Sequence, residues 1–102
     1  MSGHYEETTD LMVEASDLIS GDRKLDYGDF LRNHQDIAKV WSVVLGTPIS
    51  AHQVTLCMAT VKIVRASQKK NYKRDNYVDA IAYISMTNAL QKKENGDLWI
   101  RI

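Results

Sequence analysis

The stretch Ser50-Ala51-His52-Gln53-Val54-Thr55-Leu56-Cys57-Met58-Ala59-Thr60-Val61-Lys62-Ile63-Val64-Arg65-Ala66-Ser67-Gln68 decides the fold. Ser50 followed three residues later by Gln53 is capping-box spacing, in which each side chain takes up a backbone N–H that a helix start leaves open. Val54, Cys57, Met58, Val61 and Val64 or Ile63 then recur at helical intervals. The pattern predicts a helix from Ser50 to about Gln68 whose apolar side is the expected centre of the core.

Upstream, Asp29 is a helix cap, and Phe30, Ile37, Trp41, Val44 and Leu45 lie on one stripe while Arg32, Gln35, Asp36 and Lys39 lie outside it. Gly46-Thr47-Pro48 ends that helix. The preceding segment from Gly21 to Asp29 has two glycines within it and no periodicity, so it reads as an ordered loop. Thr9 caps a first helix through Ser20, with Leu11, Met12, Ala15, Leu18 and Ile19 at helical spacing and Gly21 as its stop. Downstream, Lys69 to Arg74 is a basic connector. Asp75 caps a fourth helix that buries Tyr77, Val78, Ile81, Ala82, Ile84 and Ala89 before Asn95-Gly96. The tail Asp97 to Ile102 alternates too briefly for a sheet and is expected to pack on the bundle or on a neighbouring chain. The expectation is an all-α fold, one domain over residues 1–102 with a short C-terminal tail, in which about four helices bury stripes led by Trp41, Met58 and Ile81. Such short helices leave apolar surface for a partner, so a homo-oligomer is expected.

With 102 residues, 44% of them hydrophobic and a single proline, the chain suits one compact domain. Its apolar runs fall short of the roughly 18 residues that span a bilayer, and its N-terminal residues carry acids where a signal peptide carries cations, which points to the cytosol and away from membranes. Cys57 is the lone cysteine, so disulfide scaffolds and zinc fingers are excluded. Charge is uneven although it sums to zero. Residues 1–51 hold four Lys/Arg against nine Asp/Glu, a net of −5, and residues 52–102 hold nine against four, a net of +5. The two halves suit packing on each other or on a second copy, or a basic surface that receives an anion.

Lys62, Arg65, Lys69, Lys70, Lys73 and Arg74 occur with no intervening acid. Arg offers a bidentate fork to phosphate and Lys a point charge, so Lys62 and Arg65, one turn apart, form a candidate phosphate clamp; the alternative is a solvated face. Asp75 and Asp79, four residues apart, share one side of a helix start, and with Glu14 and Asp17 they supply the oxygen ligands a magnesium ion takes. Equally, Asp75 is a cap and Asp79 pairs with Lys62 or Arg65. The loop Arg23-Lys24-Leu25-Asp26-Tyr27-Gly28 sets a cation, an aromatic ring for stacking and a glycine before a helix start, although Asp29 already occupies the place an anion would take. His4, His34 and His52 have no acid, serine or cysteine at a telling spacing, and Cys57 reads as a buried filler, so nucleophilic catalysis finds little support. Cations confined to one segment, without a recognition helix, disfavour sequence-specific DNA binding.

Arg23, Tyr27-Gly28-Asp29, Asn33, Ile37-Ala38, Trp41, Lys62, Arg65, Asp75 and Asp79 to Tyr83 together resemble a family of small phage proteins over about residues 20–90. Ala82 stands where that family's Asp-Ile-Ala-Gly-Tyr motif has glycine. Glu14-Ala15-Ser16-Asp17 and Asp75-Asn76-Tyr77-Val78-Asp79 are similar, in shortened form, to the paired acids of the all-helical MazG-like nucleoside triphosphate pyrophosphatases. That second likeness implies magnesium held by Asp75, Asp79 and Glu14. The expected function is a phage accessory protein in the host cytosol that binds a phosphorylated small molecule, a nucleotide, through Arg23, Tyr27, Gly28, Lys62 and Arg65. The alternatives are magnesium-dependent pyrophosphohydrolysis of a nucleoside triphosphate and a host-protein-binding inhibitor or adaptor.

Overall fold

The computed structural model describes residues 2–20, 29–68, 70 and 72–101, with the side chains of 2 and 97–101 left aside. Among the described residues there are four helices and no strand: α1 (Ser2–Ser20), α2 (Phe30–Leu45), α3 (Ala51–Ala66) and α4 (Arg74–Arg101). The fold is an all-α bundle. α4 is its spine: α3 packs along it most extensively, α1 lies against it, and α2 reaches it mainly through α3.

Two small clusters hold these helices together. Ala15 of α1 meets Val78 and Ala82 of α4, with Leu11, Leu18 and Ile81 around them. Ala38, Ala51, Val54 and Leu90 form the second, covered by Phe30, Trp41 and Ile49. Alanines at the contacts let helix axes approach closely, and the few large side chains fill the space between them. Thr55 and Thr87 are also buried, and their hydroxyls meet at 2.7 Å. Thr87 Oγ1 also lies 2.7 Å from the Tyr83 carbonyl and Thr55 Oγ1 lies 3.1 Å from that of His52, so neither buried hydroxyl lacks a partner.

α2 begins and ends as its sequence predicts. Asp29 Oδ1 accepts the Leu31 N–H at 2.9 Å. Gly46 closes the helix at φ 68°, a left-handed conformation that a residue with a Cβ adopts at a cost. The expected stripe holds only in part: Ile37 and Trp41 pack inward, but Val44 and Leu45 are exposed and His34 and Ala38 are the buried positions. His34 tolerates burial because its Nδ1 bonds the Phe30 carbonyl at 2.8 Å and its ring meets Tyr83 edge-on at 6.2 Å.

The capping box of α3 forms, with Gln53 Oε1 accepting the Ser50 N–H at 2.9 Å. Its buried face differs from the expected one. Ala51, Val54, Thr55 and Ala59 face the core while Cys57, Val61, Ile63 and Val64 are exposed, so the helix is turned about a quarter of a turn at 100° per residue. The paired threonines and the small Ala59 explain the turn, since hydrophobicity alone favours the valine side. Cys57 is therefore a surface thiol, not a core filler.

At the ends of the chain the helices run longer than expected. Thr9 is no cap: its hydroxyl bonds back to the carbonyls of Tyr5 and Glu6, both at 3.0 Å, inside a helix already under way. Asp75 lies within the first turn of α4, not ahead of it. α4 runs through Asn95-Gly96 and takes in residues 97–101, which continue the helix instead of folding back as a tail. A glycine inside a helix costs only about 1 kcal/mol, which a 28-residue helix anchored by Val78, Ala82 and Leu90 absorbs. Tyr77 and Ile84, expected in the core, are exposed.

Candidate functional site

Where α3 ends and α4 begins, Arg65, Gln68, Lys73 and Asn76 line a polar cleft of about 360 Å³. Each side chain is there for a local reason. Arg65 stands in the last turn of α3, where a cation opposes the negative end of the helix dipole. The chain leaves α3 through Ser67, whose N–H reaches the Ile63 carbonyl at 3.0 Å, and Gln68 follows. Lys73 immediately precedes α4, and Asn76, nearly buried, sits in its first turn with its N–H on the Lys73 carbonyl at 3.1 Å. Among the described residues neither Arg65 nor Lys73 joins an ion pair. Two uncompensated cations and two amides thus face one cleft at a helix N-terminus, a combination suited to a phosphate. Tyr72 and Tyr77, whose rings lie 6.2 Å apart and tilted by 35°, flank Lys73 and Asn76 in sequence and are both exposed.

The other candidates are placed differently. Lys62 does not line the cleft. Its Nζ lies 3.1 Å from Asp79 Oδ2, and with side chains 17% and 26% exposed the two tie α3 to α4. Glu14 is held by Arg74 Nη1 in the same manner, tying α1 to α4. Lys62 is on the buried side of α3, in line with Ala51, Thr55 and Ala59, and Asp79 meets it there. The acids expected around magnesium are therefore not assembled: among the described residues no three of His, Cys, Asp and Glu converge to hold a metal ion, and Glu14 and Asp79 each face a cation. As placed, this donor set does not fit a magnesium site. Arg23, Tyr27 and Gly28 lie outside the described residues, as does Lys69.

A family model described as a domain of unknown function, DUF6378, matches residues 10–91. The chain belongs to the DUF6378 family. The matched span takes in the cleft, the Lys62–Asp79 and Glu14–Arg74 pairs and both buried clusters of this DUF6378 domain. It is similar to "Gene 55 protein" of Mycobacterium phage L5, 30% identical over 86 residues that make up 83% of this chain and 54% of that protein. It is also similar to "Gene 55 protein" of Mycobacterium phage D29, 36% identical over 73 residues, 72% of this chain and 48% of that protein. The chain spans about half the length of these curated relatives. No solved structure matches it significantly. The phage resemblance read from Arg23 to Tyr83 thus has a counterpart in named relatives, whereas the likeness to MazG-like enzymes rests on two short acidic motifs alone. Among the described residues no helix of the DUF6378 domain is long and apolar enough to cross a membrane.

One polar cluster escapes any reading of local spacing, because its members are 42 residues apart. Glu94 of α4 reaches the start of α3, where Oε1 accepts the His52 backbone N–H at 3.2 Å and Oε2 contacts His52 Nδ1. Ser50 Oγ lies 3.0 Å from that same Nδ1. A serine–histidine relay needs the hydroxyl and the carboxylate on opposite ring nitrogens, so this cluster is a cap supplied across the bundle and not a nucleophilic site. Lys73 and Asn76 were legible only as members of a basic run and a helix start. Their convergence with Arg65 depends on how the connector turns.

Proposed function

We infer that this chain binds a phosphorylated small molecule, a nucleotide, with its phosphates in the cleft of Arg65, Gln68, Lys73 and Asn76. The observation that carries the reading is the pairing of Arg65 with Lys73, two cations with no ion-pair partner among the described residues, beside the first turn of α4. Arg65 supplies the planar fork that grips two phosphate oxygens, Lys73 a point charge, and the amides of Gln68 and Asn76 further donors. A volume of about 360 Å³ lies within the usual range of small-molecule sites, and the exposed rings of Tyr72 and Tyr77 offer stacking faces for a base. Arg23, Tyr27 and Gly28, which precede α2 in the sequence, are proposed to contribute. Phage proteins among the relatives agree with an accessory role in an infected host, in the cytosol.

Thermal-shift and calorimetric titration with nucleoside mono-, di- and triphosphates and with inorganic pyrophosphate tests this. Stabilisation by a nucleotide that disappears in Arg65→Ala and Lys73→Ala is the expected result, and no stabilisation by any of these ligands at millimolar concentration would overturn it. Magnesium-dependent pyrophosphohydrolysis would require Glu14 and Asp79 to exchange Arg74 and Lys62 for the metal. Pyrophosphate release that falls in Asp79→Asn would favour that chemistry. Failure of every nucleotide together with capture of a host protein would favour an inhibitor or adaptor.

A further inference from the structure

Resting on the phosphate reading of the Arg65, Gln68, Lys73 and Asn76 cleft, we propose that the phosphate it takes belongs to a single strand of nucleic acid, whose backbone follows Lys70 and Lys73 and whose bases stack on Tyr72 and Tyr77 without regard to sequence. Asn76 is an observation independent of the cations. Its side chain lines the cleft, the residue is only 8% exposed, and among the described residues its amide makes no side-chain hydrogen bond. A nearly buried amide of this kind holds two N–H donors ready for oxygens that only accept, as those of a phosphate diester do.

A free nucleotide and a strand ask different things of the surface outside the cleft. Sites for small molecules enclose roughly 70–90% of their ligand. Here the aromatic rings do not line the cleft: Tyr72 and Tyr77 are 71% and 42% exposed, and each is the chain neighbour of a cleft residue, Lys73 and Asn76. Their centroids lie 6.2 Å apart with the planes tilted by 35°, a separation at which two rings pack on each other, so a base lies on the outer face of the pair and not between its members. A base placed there keeps its second face in water when the nucleotide is free, whereas in a strand the next base covers it. Lys70 is exposed and joins no ion pair among the described residues, so it stands as a third cation, outside the cleft, for a further phosphate. No acid occurs from Lys62 to Arg74, and Asp75, the next residue, does not line the cleft. Cations interleaved with exposed rings are how single strands are held: the cations track the backbone, and stacking tolerates any sequence because every base has a π-face.

Fluorescence anisotropy on the full chain at low salt, with labelled thymidine deoxynucleotide and uridine ribonucleotide strands of about 12 nucleotides, tests this against the same strands in duplex and against dTMP and UMP as competitors. A strand should bind at least about tenfold more tightly than its mononucleotide and its duplex, and the tighter of the two strands names DNA or RNA as the source. Tyr72→Ala combined with Tyr77→Ala should weaken the strand about tenfold with helical circular dichroism intact, and Lys70→Ala should lower the slope of log affinity against log salt by about 0.7. A mononucleotide or duplex that binds as tightly as its strand, or a strand indifferent to the loss of both tyrosines, would overturn the proposal and leave the phosphate cleft in place. Binding by neither strand nor mononucleotide would overturn both.

Discussion

Replacing Asp79 with alanine removes the carboxylate of the Lys62–Asp79 pair and leaves Lys62, whose side chain is 17% exposed, without its partner. The gross attraction of unit charges 3.1 Å apart is about 1 kcal/mol in water and about 5 kcal/mol at an effective dielectric of 20. Fully exposed pairs are worth about 0–1 kcal/mol, while breaking a fully buried pair costs about 3–5 kcal/mol, chiefly because the survivor stays desolvated. Side chains 17% and 26% exposed fall between these limits, so Asp79→Ala should cost about 2 kcal/mol, lowering the melting temperature of a domain this size by about 10 °C. The double variant Lys62→Met with Asp79→Leu should recover most of that loss, since two apolar groups restore the match across α3 and α4. Urea unfolding followed by circular dichroism measures all three proteins and gives the coupling energy from the cycle. A loss below about 0.3 kcal/mol in Asp79→Ala would refute the reasoning, because that is the scatter of additivity itself. So would magnesium stabilising wild type but not Asp79→Asn, which would make the carboxylate a metal ligand.

Leu90→Ala removes the largest of the fully buried side chains, from the contact of α4 with Ala38, Ala51 and Val54, and should cost about 3 kcal/mol in urea unfolding. Gly46→Ala should cost about 1 kcal/mol although its Cβ would meet nothing within 4 Å, because the penalty is conformational; equal stability of the two proteins would contradict the left-handed stop of α2. Glu94→Gln keeps an acceptor for the His52 N–H but removes a negative charge from the start of α3, so thermal melts should show a loss of about 0.5–1 kcal/mol that shrinks with added salt.

Boundaries set by local chemistry were legible in the chain. Asp29, Gly46 and the Ser50–Gln53 box act on backbone groups within a few residues, and each does what its residue type dictates. Rotation of a helix about its axis was not legible. On α3 the valine side outscores the buried side in hydrophobicity, and only the Thr55–Thr87 bond and the fit of Ala59, both set by α4, turn it away from the core. The same cause misassigned Cys57 and placed Lys62 inward. α1 and α4 overran their expected ends because Thr9 and Asn95-Gly96 permit a stop without forcing one. Of the candidate site, Arg65 was readable from its place in a basic run, whereas its separation from Lys62 and its meeting with Lys73 and Asn76 follow from the inter-helix turn.

The most direct test is a calorimetric titration of a nucleoside triphosphate into wild type and Arg65→Ala at low salt, with circular dichroism confirming that both are folded. Binding by wild type that weakens at least about tenfold in Arg65→Ala, a change of about 1.4 kcal/mol, is the predicted result, since a bidentate charge-assisted contact is lost. Equal affinity in the two proteins, or no binding by wild type, would contradict the assignment of this cleft.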